Sequence, residues 1–135
     1  MKIAPGNIYS GDRDRAVFTN PTCLAKRKGN LNGDYPVRVA GIDFPDAEAA
    51  YQKLARAAKM DTRQCYRICV KVVEAKLRQH PRILQTITDS GGADWIRQCS
   101  HWVGYAKANP GRWEGVGMAS GYIRCLLEAY LRVTL

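Results

Sequence analysis

The clearest hydrophobic pattern in the chain runs from about Thr62 to Gln79. Apolar side chains recur there at the spacing of one helix face, at Cys65, Ile68, Cys69, Val72, Val73 and Leu77. The basic residues Arg63, Arg67 and Lys71 follow an i, i+4, i+8 spacing on a different face. This double periodicity predicts an amphipathic helix with an apolar side in the core and a separate basic side.

Shorter patterns predict the remaining elements. Alternating residues on both sides of Ala40-Gly41 predict a hairpin over 35–44. A helix is expected from Ala47 to about Ala58, with Asp46 capping its free N–H groups. The other predicted elements are helices from Arg82 to about Thr88 and from about Met118 to Arg132, a strand over 95–103, and loop with short strand before residue 35. We therefore expect one helix-dominated α+β domain over 1–135 with small antiparallel strand pairs, in which 1–16 pack loosely.

The charge balance changes this picture, because Lys and Arg outnumber Asp and Glu by 21 to 12 and leave a net charge of +9. Nine basic and two acidic residues lie between Lys53 and Arg82. A bare row of like charges destabilises a helix by about 0.2–0.5 kcal/mol per neighbouring pair. An anionic partner such as nucleic acid or a nucleotide would compensate, as would acidic side chains from elsewhere in the chain. A basic surface that only maintains solubility is the alternative.

Several classes of protein are not expected. The first residues contain no apolar signal-peptide core, and no apolar run approaches membrane-spanning length, which favours a cytoplasmic protein without a membrane partner. Five cysteines form no C-x-x-C pair and only two histidines accompany them, so we expect free, mostly buried thiols and no metal site. No phosphate-binding or dinucleotide fingerprint is present, and no cofactor is expected. Any catalysis would then depend on carboxylates, lysines and aromatic residues.

Four segments, in order, resemble the NADAR family of small N-glycosidases. They are Phe18-Thr19-Asn20-Pro21, the run F-P-D-A-E-A-A-Y-Q over 44–52, the stretch from Glu74 to Thr88, and W-E-G-V-G over 113–117 before a closing helix with Arg124 and Arg132. The resemblance covers about residue 17 to the end. Ala49 stands where the family has a histidine, and Ala55 where it has a lysine. Arg112 precedes Trp113 where the family places an acidic residue.

The resemblance implies hydrolysis of an N-glycosidic bond to ribose. Members of the family remove ADP-ribose from guanine in nucleic acid, or cleave related ribosylated pyrimidine or riboflavin-pathway intermediates. Positive charge builds on the ribose as such a bond breaks, and Glu48 is the candidate carboxylate to stabilise it or to orient water. Lys53, Lys59 and Lys71 are candidates to trap a ring-opened sugar as a Schiff base. The structural alternatives are a first-turn glutamate that matches the helix dipole and three solvated lysines.

The resemblance also suggests residues that bind the substrate. They are Asn20, Tyr51, Gln52, Trp113, Gly115 and Gly117, with Arg63 and Arg67 for a pyrophosphate or flanking DNA. Trp113 lies in a glycine-bounded turn and is the better stacking candidate, whereas core packing is favoured for Trp95 and Trp102. Asn20 either holds a ribose hydroxyl or fixes its own loop.

Two other functions stay open at this stage. Alanine at positions 49 and 55 is compatible with a non-catalytic nucleic-acid or nucleotide-binding accessory protein of a phage or bacterium. The basic helix alone is compatible with a small interaction domain that meets an acidic protein. An N-glycosidase acting on an ADP-ribose-type conjugate is the first hypothesis.

Overall fold

The computed structural model describes residues 2–58, 62–103 and 113–135. Within them the helices are α1 (Thr22–Arg27), α2 (Ala47–Ala58), α3 (Thr62–Gln79), α4 (Pro81–Ser90), α5 (Ala93–Gln98) and α6 (Gly121–Thr134). The strands are β1 (Val37–Val39), β2 (Ile42–Phe44), β3 (Ser100–His101) and β4 (Gly115–Val116), and 3-10 turns occupy Ala16–Phe18 and Gly117–Ala119. The predicted helix-dominated α+β fold with small antiparallel strand pairs is confirmed. None of the helices in these ranges is long and apolar enough to cross a membrane.

Helix α3 lies at the centre of the fold and packs most extensively against α6. Its apolar face joins α5, α6 and the N-terminal segment in the main core, where Val73, Leu77 and Ile123 are fully enclosed. The predicted helical periodicity between Thr62 and Gln79 is thus confirmed. A smaller cluster connects the opposite edge of α3 with α2 and the hairpin through Val72, Val37 and Ala50. Core packing on two sides therefore fixes α3 and leaves only a strip of its surface exposed.

The predicted hairpin is confirmed. Strands β1 and β2 pair with Val37 opposite Phe44 and Val39 opposite Ile42. Positive φ angles of 52° at Ala40 and 78° at Gly41 make the tight two-residue turn between them. The hairpin ends at Phe44, two residues before Asp46, so it sets the position at which α2 begins.

The predicted strand over 95–103 is wrong for most of its length. Residues up to Gln98 belong to α5, and strand pairing is limited to Ser100–His101. Trp95 is 1% exposed, packs edge-on against Phe18 with ring centroids 5.1 Å apart, and donates from Nε1 to Ile3 O at 2.7 Å. Tertiary packing of this aromatic residue therefore overrides the strand preference of the local sequence. The packing also confirms the core role favoured for Trp95.

The region before residue 35 contains a helix that the sequence pattern did not predict. Helix α1 is short, and its first turn is held by a distant residue, because Cys23 N donates to Asp46 Oδ2 at 3.0 Å. The preceding segment contains the fully buried Ile8, whose N–H donates to Ser100 O at 2.8 Å. Both connections join residues far apart in sequence, which local patterns do not reveal. They bring the N-terminal segment, α1 and the start of α2 close together.

Candidate functional site

A cleft of about 800 Å³ opens where these segments meet. Its walls come from the N-terminal loop, the segment before α1, the first turns of α2, the middle of α3, the β3 region, the segment 113–114 and the start of α6. Five residues singled out from the sequence line it: Asn20, Glu48, Tyr51, Gln52 and Trp113. The fold thus brings together side chains that are spread over more than 90 positions of the chain.

Glu48 lies in the first turn of α2 and is half-buried. Its N–H donates to Asn20 O at 3.2 Å, and the neighbouring Ala49 N donates to the capping Asp46 Oδ1 at 2.9 Å. Burial raises the pKa of Glu48, the hydrogen bond from Gln52 opposes that effect, and the charge of Asp46 adds to it. The predicted cap by Asp46 is confirmed. It fixes the first turn of α2, which places the Glu48 carboxyl group, with its raised pKa, at the cleft wall.

Asn20 is 7% exposed and its side chain is held at both ends. The single proton of the Tyr122 hydroxyl is shared between Phe18 O, in a short bond, and Asn20 Oδ1 at 3.3 Å. Asn20 Nδ2 lies 3.9 Å from Cys69 Sγ as a weak donor. A side-chain amide has two donors and two acceptor lone pairs, so these contacts orient Asn20 and leave it capacity for a ligand.

Tyr51 and Trp113 form an aromatic corner of the cleft. Their ring centroids are 5.7 Å apart with an interplanar angle of 85°, an edge-to-face arrangement. The backbone of Trp113 is fixed to the start of α6, because its carbonyl accepts from Ser120 Oγ at 2.6 Å and from Tyr122 N at 3.2 Å. The corner therefore presents aromatic surface from a rigid support, which suits a planar heterocycle.

Two cleft residues that the sequence reasoning missed are His101 and Glu114. The His101 Nδ1 donates to Ile8 O at 2.7 Å, an assignment that follows from the carbonyl being an acceptor, and this leaves Nε2 as the acceptor of a neutral ring. Burial lowers the pKa of His101, and the Ile8 bond and the charge of Glu114 oppose that effect. Glu114 Oε2 accepts from Val103 N at 3.2 Å. Glu114 directly follows Trp113 in the sequence, so this segment contributes both an aromatic and an acidic side chain to the cleft lining.

Lys28 is the lysine that lines the cleft, among the described residues. It is exposed, and its amino group donates to Ser10 Oγ at 2.8 Å. The sequence feature that could have indicated it is the basic run Lys26-Arg27-Lys28 beside Gly29, a pattern that suits either phosphate binding or a solvated loop. Lys26, by contrast, forms an ion pair with Asp34, with Nζ and Oδ1 2.8 Å apart.

The lysine candidates that the structure describes do not line the cleft. Lys53 and Lys71 are exposed and do not line the cleft, and Lys59 lies outside the described residues. Arg67 is likewise exposed outside the cleft, whereas Arg63 lines a smaller cavity next to it. The structure therefore separates the carboxylate and aromatic candidates, which meet in the cleft, from most of the cationic ones.

Gly115 and Gly117 have a structural reason to be glycine. Gly117 has φ +55°, and a Cβ atom there would lie 2.7 Å from Arg97 O. Gly115 has φ +148°, and its Cβ would lie 3.0 Å from the Ala119 carbonyl carbon. Both residues are buried and neither lines the cleft. They fold the chain tightly behind Trp113 and so determine where that ring stands.

The cysteines are free thiols, as predicted, and all but Cys23 are buried. Cys69 and Cys125 have their sulfur atoms 3.0 Å apart between α3 and α6, and burial raises the pKa of Cys125 so that it stays protonated. Trp102 is half-buried, and its backbone N–H donates to Asn7 Oδ1 at 2.7 Å.

No protein-family model, curated protein or solved structure matches this chain.

Proposed function

We propose that the cleft is the active site of a hydrolase that cleaves the N-glycosidic bond between ribose and a base in an ADP-ribose-type conjugate. Guanine in nucleic acid is the first leaving base to test, as the similarity to NADAR segments implies. The observation that carries the proposal is the meeting of Asn20, Glu48, Tyr51, Gln52 and Trp113 around one cleft. Glu48, Tyr51 and Gln52 share one face of α2, and the fold brings Asn20 and Trp113 to them from distant parts of the chain.

Glu48 supplies the chemistry in this proposal. As the bond between the anomeric carbon and the base nitrogen breaks, positive charge grows on the ribose, and an ionised carboxylate in a half-buried site stabilises that charge. A water oxygen bonds to the anomeric carbon, and its proton passes to Glu48 and then to solvent or the leaving base. The raised pKa of Glu48 improves it as a proton acceptor, since catalytic efficiency is highest when the pKa approaches the working pH.

The other cleft residues position the substrate. Tyr51 and Trp113 offer aromatic surface for a base, and the oriented amide of Asn20 offers hydrogen bonds to ribose hydroxyls. Lys28 supplies positive charge at the rim. Lys53 and Lys71 form no Schiff base in this mechanism, because both are exposed and neither lines the cleft.

The test is release of free ADP-ribose from guanine-ADP-ribosylated DNA. Wild type is compared with Glu48→Gln and with the isosteric control Glu74→Gln, which changes a half-buried glutamate of α3 that pairs with Arg78 away from the cleft. Loss of a positioned acid–base group lowers rates by about 100-fold or more. We expect release by wild type and Glu74→Gln and a rate reduced at least about 100-fold in Glu48→Gln.

The pH dependence adds a second criterion. Because the ionised form of Glu48 acts, the wild-type rate should fall as the pH drops through its raised pKa, and Glu48→Gln should lose that limb. Equal turnover by wild type and Glu48→Gln would remove Glu48 from the mechanism. Absence of release by wild type would contradict the proposed substrate.

A second candidate is a non-catalytic nucleic-acid binder. The observation that favours it is the exposed row formed by Arg67 and Lys71, which lies outside the cleft on the surface of α3. Such a row suits phosphate contacts, which give salt-sensitive affinity without sequence preference. Salt-dependent DNA binding with no released ADP-ribose would favour this candidate over the hydrolase.

A further inference from the structure

A second cavity of about 270 Å³ lies beside the cleft. It is lined by Thr62, Arg63, Tyr66, Trp113, Gly121 and Arg124. Trp113 lines both spaces and so separates them. A ligand that contacts Trp113 in the cleft therefore has a neighbouring volume into which a second part of it can extend.

Two guanidinium groups dominate the chemistry of the smaller cavity. Among the described residues, no carboxylate lies within ion-pair distance of Arg63 or Arg124. Arg124 is half-buried and held by a backbone contact, since its Nη1 donates to Met118 O at 2.7 Å. By contrast, Arg78 and Arg132 both pair with Glu74. Neither guanidinium group is therefore engaged in an ion pair within the described part of the chain.

The helices that frame the cavity add to its positive character. Thr62 and Gly121 are the first residues of α3 and α6, which are 18 and 14 residues long. The N-terminus of a helix carries a partial positive charge. At the start of α6 two N–H groups are already bound within the fold, since Tyr122 N donates to Trp113 O and Ile123 N donates to Ser120 Oγ. Burial and the nearby Glu128 raise the pKa of Tyr66, so this phenol stays neutral. Its hydroxyl donates to Glu128 Oε1 at 3.3 Å.

We propose that this cavity is a phosphate subsite, in which Arg63 and Arg124 bind the phosphate or pyrophosphate group of a nucleotide-type ligand that also contacts Trp113. Guanidinium groups suit this ligand because their planar N–H pairs match phosphate oxygens. The inference deepens the proposed function, since ADP-ribose joins its two halves through a pyrophosphate. It extends the role expected of Arg63 and adds Arg124 in place of Arg67.

The size of the cavity favours a small ligand over a nucleic-acid backbone. A volume of about 270 Å³ between two helix starts accommodates one phosphate or a pyrophosphate. The exposed row of Arg67 and Lys71 offers a polymer a more accessible surface. The same phosphate chemistry could be presented by either source, so the test includes both.

Titration calorimetry with three small probes and one polymer tests the subsite. The probes are ADP-ribose, inorganic pyrophosphate and adenosine, which lacks phosphate, together with a short unmodified DNA duplex. The variants are Arg63→Gln and Arg124→Gln, with Arg82→Gln as a control that removes one exposed charge from α4. Because a hydrogen bond to a charged group contributes enough for about a tenfold change, we expect about tenfold weaker binding of ADP-ribose and pyrophosphate to each cavity variant.

The expected pattern has three parts. Arg82→Gln binds ADP-ribose like wild type, adenosine binding is equal in all variants, and DNA binding changes no more in the cavity variants than in Arg82→Gln. Equal ADP-ribose affinity in Arg63→Gln and Arg82→Gln overturns the proposal, as does a wild type that binds neither ADP-ribose nor pyrophosphate. Thermal unfolding checks that Arg124→Gln is folded. Because Arg63 is exposed, we expect Arg63→Gln to change the fold little, so its binding result is interpretable in either case.

The two proposals fail separately. The calorimetry requires no turnover, so the expected binding pattern without release of ADP-ribose from DNA would keep the subsite and remove the proposed hydrolase. Release of ADP-ribose with indifferent cavity variants would keep the hydrolase and remove the subsite. A loss specific to the DNA duplex in the cavity variants would also overturn the small-ligand subsite.

Discussion

Helix α3 presents Lys71 and Lys76 to opposite environments. Lys71 is exposed beside Arg67, whereas Lys76 is 2% exposed and its amino group donates to Val17 O at 2.7 Å and Thr19 O at 2.6 Å. Five residues of an α-helix correspond to a rotation of about 140°. One helix therefore provides both an outer charged surface and an internal support for the segment that carries Thr19 into the cleft wall.

The two lysines differ in what their charge does. Burial lowers the pKa of Lys76 to about 7, and the charge of Asp46 opposes this only partly. The amino group can donate to both carbonyls in either protonation state, since a neutral amine has two N–H donors and an ammonium three. Lys71 is exposed, so its charge stays hydrated and attracts anions that approach the surface. The buried lysine therefore contributes to stability and to the shape of the cleft, whereas the exposed lysine contributes long-range attraction for anions.

The largest effect is expected from removing the buried amine. Lys76→Met keeps most of the volume but leaves the carbonyls of Val17 and Thr19 without their donor. An unsatisfied buried acceptor costs about 1–3 kcal/mol, so we expect the free energy of unfolding to fall by about 3 kcal/mol. The matched Lys71→Met change at an exposed site should stay within about 0.5 kcal/mol. Urea unfolding at pH 9.5, where deprotonating Lys76 on folding costs less than at neutral pH, measures both.

If Lys76→Met were as stable as Lys71→Met, the amine would not support the cleft wall and the contrast between the two lysines would disappear. As a control, the slope of unfolding free energy against urea concentration should be equal in the two variants, which shows that the same unfolding transition is measured.

The pH dependence of stability sharpens the same contrast. The folded-state pKa of Lys76 is about 7 and the ordinary lysine value is 10.5, so between them the unfolded chain binds more protons at this residue. Stability must therefore rise with pH over that window, by up to about 1.4 kcal/mol per pH unit. Subtracting the unfolding free energy of Lys76→Met from that of wild type isolates this contribution from other titrating groups.

Urea unfolding of wild type and Lys76→Met at pH 7.5 and 9.5 gives the measurement, with Lys71→Met as control. We expect the gap between wild type and Lys76→Met to widen by about 2 kcal/mol, and the gap to Lys71→Met to stay constant. A gap that narrows as the pH rises would show that Lys76 is charged in the folded protein.

The contrast also explains how far the sequence could predict the fold. Periodicity placed Arg67, Lys71 and the apolar residues of α3 on different faces, because an amphipathic helix has a fixed repeat. It did not predict α1, whose first turn depends on Asp46 from another part of the chain. Local periodicity predicted a strand at Trp95. The helix found there depends on the packing of the Trp95 ring against Phe18, a tertiary contact that a local pattern does not reveal.

The candidate site divides in the same way. Glu48 and Trp113 could be selected because each lies in a recognisable motif, and both line the cleft. His101 and Tyr122 lie in no motif and reach the cleft only through the packing of β3 and α6. Lys76 lies in a motif, but its burial depends on the carbonyls of the segment before α1, which no local pattern reveals.

The smallest effect concerns the outer face of α3. If Arg67 and Lys71 contact nucleic-acid phosphates, the double change Arg67→Gln with Lys71→Gln should reduce the salt dependence of DNA binding. Each lost phosphate contact lowers the slope of log affinity against log salt by about 0.9, so about 2 in total. The control Arg13→Gln with Arg82→Gln removes the same charge from exposed positions elsewhere. Fluorescence anisotropy of a labelled duplex across a salt series gives both slopes. Identical slopes in the two double variants would show that DNA responds only to net charge, and the outer face of α3 would then have no specific role in binding.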